Sequence, residues 1–431
     1  MIVMLWMTLT LLVPLLIGIP IAIALGGSGL IWLIALDPNY LRGVGHSIWN
    51  GATSDVLTSV PLFILMGELV QRTGLASRFY DAVALWLRRL PGGLFHANIA
   101  ATSVFSAVSG SSVATAATIG MVALPNLERL NYNRRMTLGS LAAGGTLGIL
   151  IPPSIPLIVY GALVETSVGK LFMAALLPGI GMALLFSTYI AIKVLLKPSL
   201  APRARLEPPT LAERLHSLGQ MGPLLIVVLV ILGGIYLGWT TTTEAAASGT
   251  LVTCLMALVQ GRMRWALLRD SLVSAIRFTA MLMFVIFGAQ IFSFAVFSWG
   301  ITSEMGRWIG GLDYPPLAIL LIILAIYLVL GMFIDALSIM IMTLSILYPI
   351  ILQLQYDPIW FGVVLVILLE IGLITPPVGL NLYTIQALQP GKVPLKEVSL
   401  GAFPFVLLLL AGVALLIAFP DIALWLPRQM F

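Results

Sequence analysis

Four short segments carry the residue types that could do chemistry in this chain, and each interrupts an apolar run. The first runs from Ser103 and Ser106 through Ser109, Gly110, Ser111 and Ser112 to Thr115, Thr118 and Gly120. The apolar stretches on either side are each too short to cross a bilayer alone. A turn at Ser109–Ser112 predicts a re-entrant hairpin, two half-helices that meet near the membrane midplane. Unwound backbone is tolerated at that depth only where it is buried in protein or lines a polar cavity. There, free carbonyls suit a cation, while half-helix N-termini and hydroxyls suit an anion. Isolated small residues would read as close helix packing; a cluster this dense reads as a site.

The second segment contains Gly144, Gly145, Thr146, Gly148, Pro152, Pro153 and Ser154. Two prolines in series remove two amide donors and break the helical ladder. The freed carbonyls need partners, and in apolar surroundings a hard cation is a natural one; a simple kinked helix is the alternative. The third segment, Gly331 to Ser338, places Asp335 inside an apolar context. A lone intramembrane carboxylate costs several kcal/mol, so Asp335 is expected to be paired, protonated or bound to a cation. The fourth runs from Gly372 through Thr375, Pro376 and Pro377 to Gly379 and Asn381, with Glu370 just before it. Asn381 offers an amide to a solute or an acceptor to a neighbouring half-helix. Glu68 and Glu244 lie nearer the ends of apolar runs and read as interfacial.

No Arg or Lys falls in any of the four segments. An anion would be met by hydroxyls, backbone amides and helix dipoles, with Ser109, Gly110, Ser111, Thr115, Ser154, Gly379 and Asn381 as the candidates. Carboxylate charge held this way is only partly neutralised, so co-bound cations would lower the cost. That is a physical reason for solute and cation binding to be coupled.

The elements that position these segments are membrane helices. The chain has 431 residues, 60% hydrophobic and 9% charged, against about 25% charged in ordinary soluble domains. In lipid there is room for about ten helices of some 20 residues. Candidate spans are Met4–Leu25, Leu171–Leu195, Pro223–Trp239, Ala245–Leu258, Leu317–Phe333 and Phe403–Phe419. The net charge of +5 is spread over short connections, which reads as membrane orientation and not as a nucleic-acid surface. The single Cys254 excludes an internal disulfide, and His46, His96 and His216 are too scattered for a metal constellation. The N-terminal run lacks a basic leader and is longer than a signal-peptide core, so it reads as a retained helix.

Residues 197–218 form the one long polar stretch, with Lys197, Arg203, Arg205 and Arg214, and read as a cytoplasmic linker. Arg262, Arg264 and Arg269 follow two spans later, on the same side by parity. The linker separates a first membrane repeat, 1–196, from a second, 219–431. An offset of 224 residues carries Pro152 onto Pro376, Gly148 onto Gly372, Pro125 onto Pro349 and Tyr132 onto Tyr356. Such repeats mark secondary transporters, with the site at the repeat interface; the offset alone does not say whether they are parallel or inverted.

At Ser106–Gly120, Gly144–Gly161, Glu370–Ile385 and, more weakly, Leu171–Gly181, the sequence resembles the large membrane (permease, DctM-type) subunit of TRAP (tripartite ATP-independent periplasmic) transporters. The resemblance covers essentially the whole chain. It implies an all-α polytopic fold of two inverted repeats, with re-entrant hairpins and discontinuous helices, working as an elevator. It further implies sodium (Na+) as the coupling ion, a small four-helix membrane subunit, and a periplasmic solute-binding protein that delivers a small carboxylate. The setting would be the lipid bilayer of a bacterial inner membrane. Carried over by residue, sodium would lie near Ser106, Ser109, Ser111, Ser112, Gly145, Gly148 and Pro152 in one repeat. In the other it would lie near Gly331, Asp335, Gly372, Thr375 and Pro377. The chain departs from the family at Leu127 and Asn131, where Met and Gly are common, and at Ser345, where proline is common; all three lie outside the tips.

Three other readings are weaker. A channel predicts rings of like charge or filter carbonyls about an axis. An intramembrane enzyme needs a nucleophile and base or a metal cluster, and neither HExxH nor GxSxG occurs. A stand-alone ion-coupled anion transporter of related architecture would need no partner proteins.

Overall fold

The structure is a computed structural model that describes residues 2–202, 210–311, 314–391 and 393–430, without the side chains of residues 2, 4, 309 and 310. Among the described residues every regular element is a helix. The chain opens with α1 (Ile2–Leu16) and α2 (Ile21–Leu36). The expected single span Met4–Leu25 is therefore two helices. Gly18 takes a φ of 86°, and Pro20 lacks the amide that would continue the ladder. Next come α3 (Leu41–Ala52) and α4 (Asp55–Arg72), bent by 50° at the break, and the short α5 (Leu75–Leu87).

The first repeat unit then follows as α6 (Leu94–Ser109), α7 (Ser112–Arg129), α8 (Arg134–Leu150) and α9 (Ile155–Leu163), closed by the 29-residue α10 (Val168–Leu196). After the linker come α11 (Leu211–Tyr236), α12 (Thr242–Val259), the 34-residue α13 (Trp265–Ser298) and α14 (Ile301–Gly310). The second unit is α15 (Pro316–Gly331), α16 (Ala336–Gln353), α17 (Pro358–Leu373) and α18 (Leu380–Ala387), closed by α19 (Leu395–Ala418) and α20 (Asp421–Met430). Among the described residues seven helical segments are long and apolar enough to cross a bilayer, the discontinuous α8–α9 among them. Leu317–Phe333 is not a free span. It is α15, one arm of the second hairpin, which turns at 332–335 into α16.

Within the linker, Arg203 and Arg205 lie outside the described residues. Its last part is already helix: Thr210 and Glu213 form a reciprocal capping box that starts α11 at Leu211. Thr241 and Glu244 do the same for α12, which places Glu244 at a helix start in an exposed position. Glu68 pairs with Arg72 at 2.8 Å and accepts from Ser274 Oγ.

Two packing groups position the four breaks. Hairpin α6–α7 lies along α8, hairpin α15–α16 lies along α17, and α19 packs against both α8 and α17. Around them, α2 packs on α13, α4 on α12 and α13, and α11 on α5 and α12. The two broken helices run antiparallel. Tyr160 in α9 donates to Pro358 O at the start of α17 (2.7 Å), while Gln389, just past α18, bonds Glu128 at the end of α7. Midway, the Asn381 amide reaches Ala142 O of α8 (3.4 Å). The repeats are inverted.

Several basic residues gather at one face, with Asp81 among them. Arg88, Arg89 and Arg129 line one cavity at the base of the first hairpin with Val194 and Pro198 of the linker entry, and Arg262 reaches Thr73 O on the same side. Glu165 and Glu244 share a cavity at the other face, together with Ser54. α11 and α12 pack together, which puts the end of α12, before the second basic loop, beside the start of α11, after the linker.

Candidate functional site

The first tip is built by a stop and a start. α6 ends at Ser109, Gly110 takes φ 58°, a left-handed value that costs an L side chain dearly, and Ser111 caps α7 by accepting from Ala114 N (3.4 Å). The Ser109 and Thr115 hydroxyls sit 2.7 Å apart across this turn. Ser106, one turn earlier, donates back to Thr102 O of its own helix. Gly110 lies beside Ile155, so the tip abuts the start of α9, where Ser154 is the buried N-cap and accepts from Leu157 N.

Helix α8 meets this tip backbone to backbone. A Cβ on Gly148 would fall 2.8 Å from Ser112 Cα and 3.0 Å from Ser111 O. One on Gly145 would fall 3.1 Å from Ser112 O and 3.0 Å from Asn381 Nδ2. Glycine is what allows the approach. Four residues beyond Gly148 and Ile149 stand Pro152 and Pro153, so neither carbonyl has the amide that would close its helical bond. Ser111, Ser112, Gly145, Gly148 and Asn381 are thereby brought together, with Ser109, Thr115, Pro152 and Ser154 in the adjoining turns.

The second tip repeats the plan with other residues. α15 ends at Gly331, and Asp335 caps α16 by accepting from Ser338 N (3.0 Å), as Ser111, its partner at the 224-residue offset, caps α7. A Cβ on Gly372 would fall 2.4 Å from Gly331 C, and Val378 N donates to Met332 O at 3.1 Å. Pro376 and Pro377 withhold the amides that Gly372 and Leu373 would otherwise receive; Thr375 N turns back to Gly372 O (3.1 Å) and Thr375 Oγ1 donates to Ile371 O. Gly379, at φ 57°, opens α18. Gly331, Gly372, Thr375, Pro377 and Gly379 surround this tip, with Asp335 at its helix start. The side chain of Asp335 is partly exposed and not sealed in the core.

Each tip offers carbonyl and hydroxyl oxygens, and the second adds a carboxylate. With no thiolate or imidazole in it, this donor set fits a hard cation and not a transition metal. The start of each half-helix presents backbone amides, which suit an anion.

One residue matters more than its place in the sequence indicated. Glu370 is 1% exposed; its Oε1 accepts from Ser112 Oγ at 2.5 Å, and its Oε2 has no hydrogen-bond partner among the described residues. One signal was visible in one dimension, a carboxylate two residues before the glycine of a helix break, but its partner in the other repeat was not. Asn381 Oδ1 and Thr118 Oγ1 are likewise buried without partners.

The chain matches the family described as "Tripartite ATP-independent periplasmic transporter, DctM component" over residues 8–422. The chain belongs to that family. Among its relatives, a C4-dicarboxylate TRAP transporter large permease protein of Pseudomonas aeruginosa is 35% identical over 410 residues, covering 94% of each chain. A sialic acid TRAP transporter large permease protein of Vibrio cholerae is 30% identical, covering 95% of each. The fold also matches the YdaH transporter of Alcanivorax borkumensis, with a TM-score of 0.67 at 14% identity, over 91% of this chain and 90% of that one. As a TRAP large permease the chain is a polytopic membrane transporter and not an enzyme, and the paired breaks are its central feature.

Proposed function

We propose that this TRAP large permease is the carrier of a sodium-driven importer of a small carboxylate in a bacterial inner membrane. A periplasmic binding protein delivers the solute, and a small four-helix membrane subunit braces the frame. The observation that carries the reading is the pair of opposed tips, each set beside a double proline that withholds two helical amides. Sodium supplies the driving force through its gradient. Ser106, Ser109, Ser111, Ser112, Gly145, Gly148 and Pro152 would hold one ion, and Gly331, Asp335, Gly372, Thr375 and Pro377 another. Ser109, Gly110, Ser111, Thr115, Ser154, Gly379 and Asn381 would meet the solute carboxylate. Relatives named for C4-dicarboxylate and for sialic acid both carry carboxylates, and with no basic side chain at the tips, the bound cations offset the solute's charge. The two hairpins and broken helices would move together as an elevator against the frame of α2, α4 and α11–α13.

Reconstitution tests this directly. Proteoliposomes containing the chain, its small subunit and a purified binding protein are expected to accumulate a labelled carboxylate on an inward sodium gradient, and to stop when choline replaces sodium. Sodium-driven uptake by the chain alone would sink the tripartite reading in favour of a stand-alone carrier.

A further inference from the structure

Glu370 belongs to neither ion set above, yet it links both tips. It sits on the last turns of α17, fully buried, and Ser112 at the first tip donates to it across the repeat interface. Breaking that bond leaves a buried carboxyl with no partner at either oxygen, so the bond is costly to lose. Two residues further on, Gly372 abuts the Gly331 backbone with no room for a methyl group, and Val378 N is bonded to Met332 O. The same stretch of chain therefore grips the second tip by close backbone packing and the first by one side chain. The grip is one-sided. At the 224-residue offset Glu370 corresponds to Thr146, whose hydroxyl donates to Ala143 O in its own helix and reaches no hairpin. A shift of either tip on ion binding must displace α17 or break the Ser112–Glu370 bond.

We propose that Glu370 is a positioning residue that couples the two hairpin tips, so that cation occupancy at one sets the affinity at the other. This rests on the sodium reading above. The coupling acts through the hydrogen bond and not through cation binding by the carboxylate, so glutamine, whose carbonyl also accepts from Ser112, can replace it.

The test uses the purified full chain with Cys254→Ala, carrying either Val113→Cys beside the first tip or Phe333→Cys at the second, positions 37% and 57% exposed. The labelling rate by a thiol reagent is followed as sodium chloride replaces choline chloride. With Glu370 present, sodium is expected to protect both tips with one shared midpoint and a Hill coefficient above unity. Glu370→Leu should separate the two midpoints by about fivefold or more and bring both Hill coefficients to about one, the scale of ordinary allosteric coupling. Glu370→Met, which removes the acceptor oxygens at nearly the same volume and leaves the proposed sodium ligands intact, should do the same, and it carries the test if the leucine variant does not fold. Glu370→Gln should keep the shared midpoint. A shared midpoint that survives both Glu370→Leu and Glu370→Met overturns the coupling, as does a glutamine variant as damaged as the leucine one. If sodium protects neither tip in the parent protein, the sodium reading itself fails, and the coupling falls with it by a different signature.

Discussion

Asp335 combines a helix cap with a charge, and the two can be separated. Its carboxylate accepts from Ser338 N at the start of α16, and asparagine caps a helix about as well as aspartate. Asp335→Asn should therefore leave thermal unfolding in detergent within about 1 kcal/mol of the parent while weakening sodium stimulation of uptake. Unchanged sodium stimulation would remove Asp335 from the site. At this scale the sequence was informative about types and poor about partners. Serines in a cluster, an aspartate in an apolar run and a double proline are all visible in one dimension. That Ser112 meets Glu370, or that Asn381 comes within reach of Ala142 O, is decided by how one repeat folds onto the other, and no local pattern encodes it.

At the scale of elements, the breaks are where the chain departs from continuous helix. Pro152 and Pro153 withhold amides from Gly148 and Ile149, and α8 stops at Leu150. Replacing both prolines by alanine returns those two donors and lets α8 run on toward α9. The expected result is a folded protein whose sodium-driven uptake falls by about tenfold or more, since each lost carbonyl ligand is worth about 1 kcal/mol. Uptake at the parent rate, with parent sodium dependence, would show that these carbonyls hold no ion. The hairpins and both broken helices were readable because glycine, proline and capping residues announce them. The start of the chain was misread for the opposite reason. Hydropathy runs on without pause through Gly18 and Pro20, and judging Met4–Leu25 by apolarity alone hid the turn that those two residues make.

For the whole molecule, the gathering of basic residues at one face predicts which side is which. Leu196 ends α10 at the basic face and is 78% exposed; Trp239 follows α11, near the cavity that Glu165 and Glu244 share, and is 76% exposed. The positive-inside rule predicts that the basic face is cytoplasmic. In a Cys254→Ala background, a membrane-impermeant thiol reagent added to spheroplasts should label Trp239→Cys and spare Leu196→Cys until the membrane is opened. The reverse pattern would invert the topology. The duplication was legible from the 224-residue offset, but its inversion was not, since residue identity carries no direction; Tyr160 beside Pro358 and Gln389 beside Glu128 supply it.

The antiparallel arrangement has a consequence for what kind of machine this is. A core made of two opposed copies of one part presents nearly the same architecture to either side of the membrane, so its framework favours neither outward nor inward travel. Net direction then comes from the ion gradient, and the places where the copies differ set only how tightly each half holds its ligands. Two such places are Ser111 opposite Asp335 and Thr146 opposite Glu370, and in both the acid lies in the second copy. A fold of this kind would turn equally well either way, with the acids on one half tuning its grip and the gradient choosing its direction.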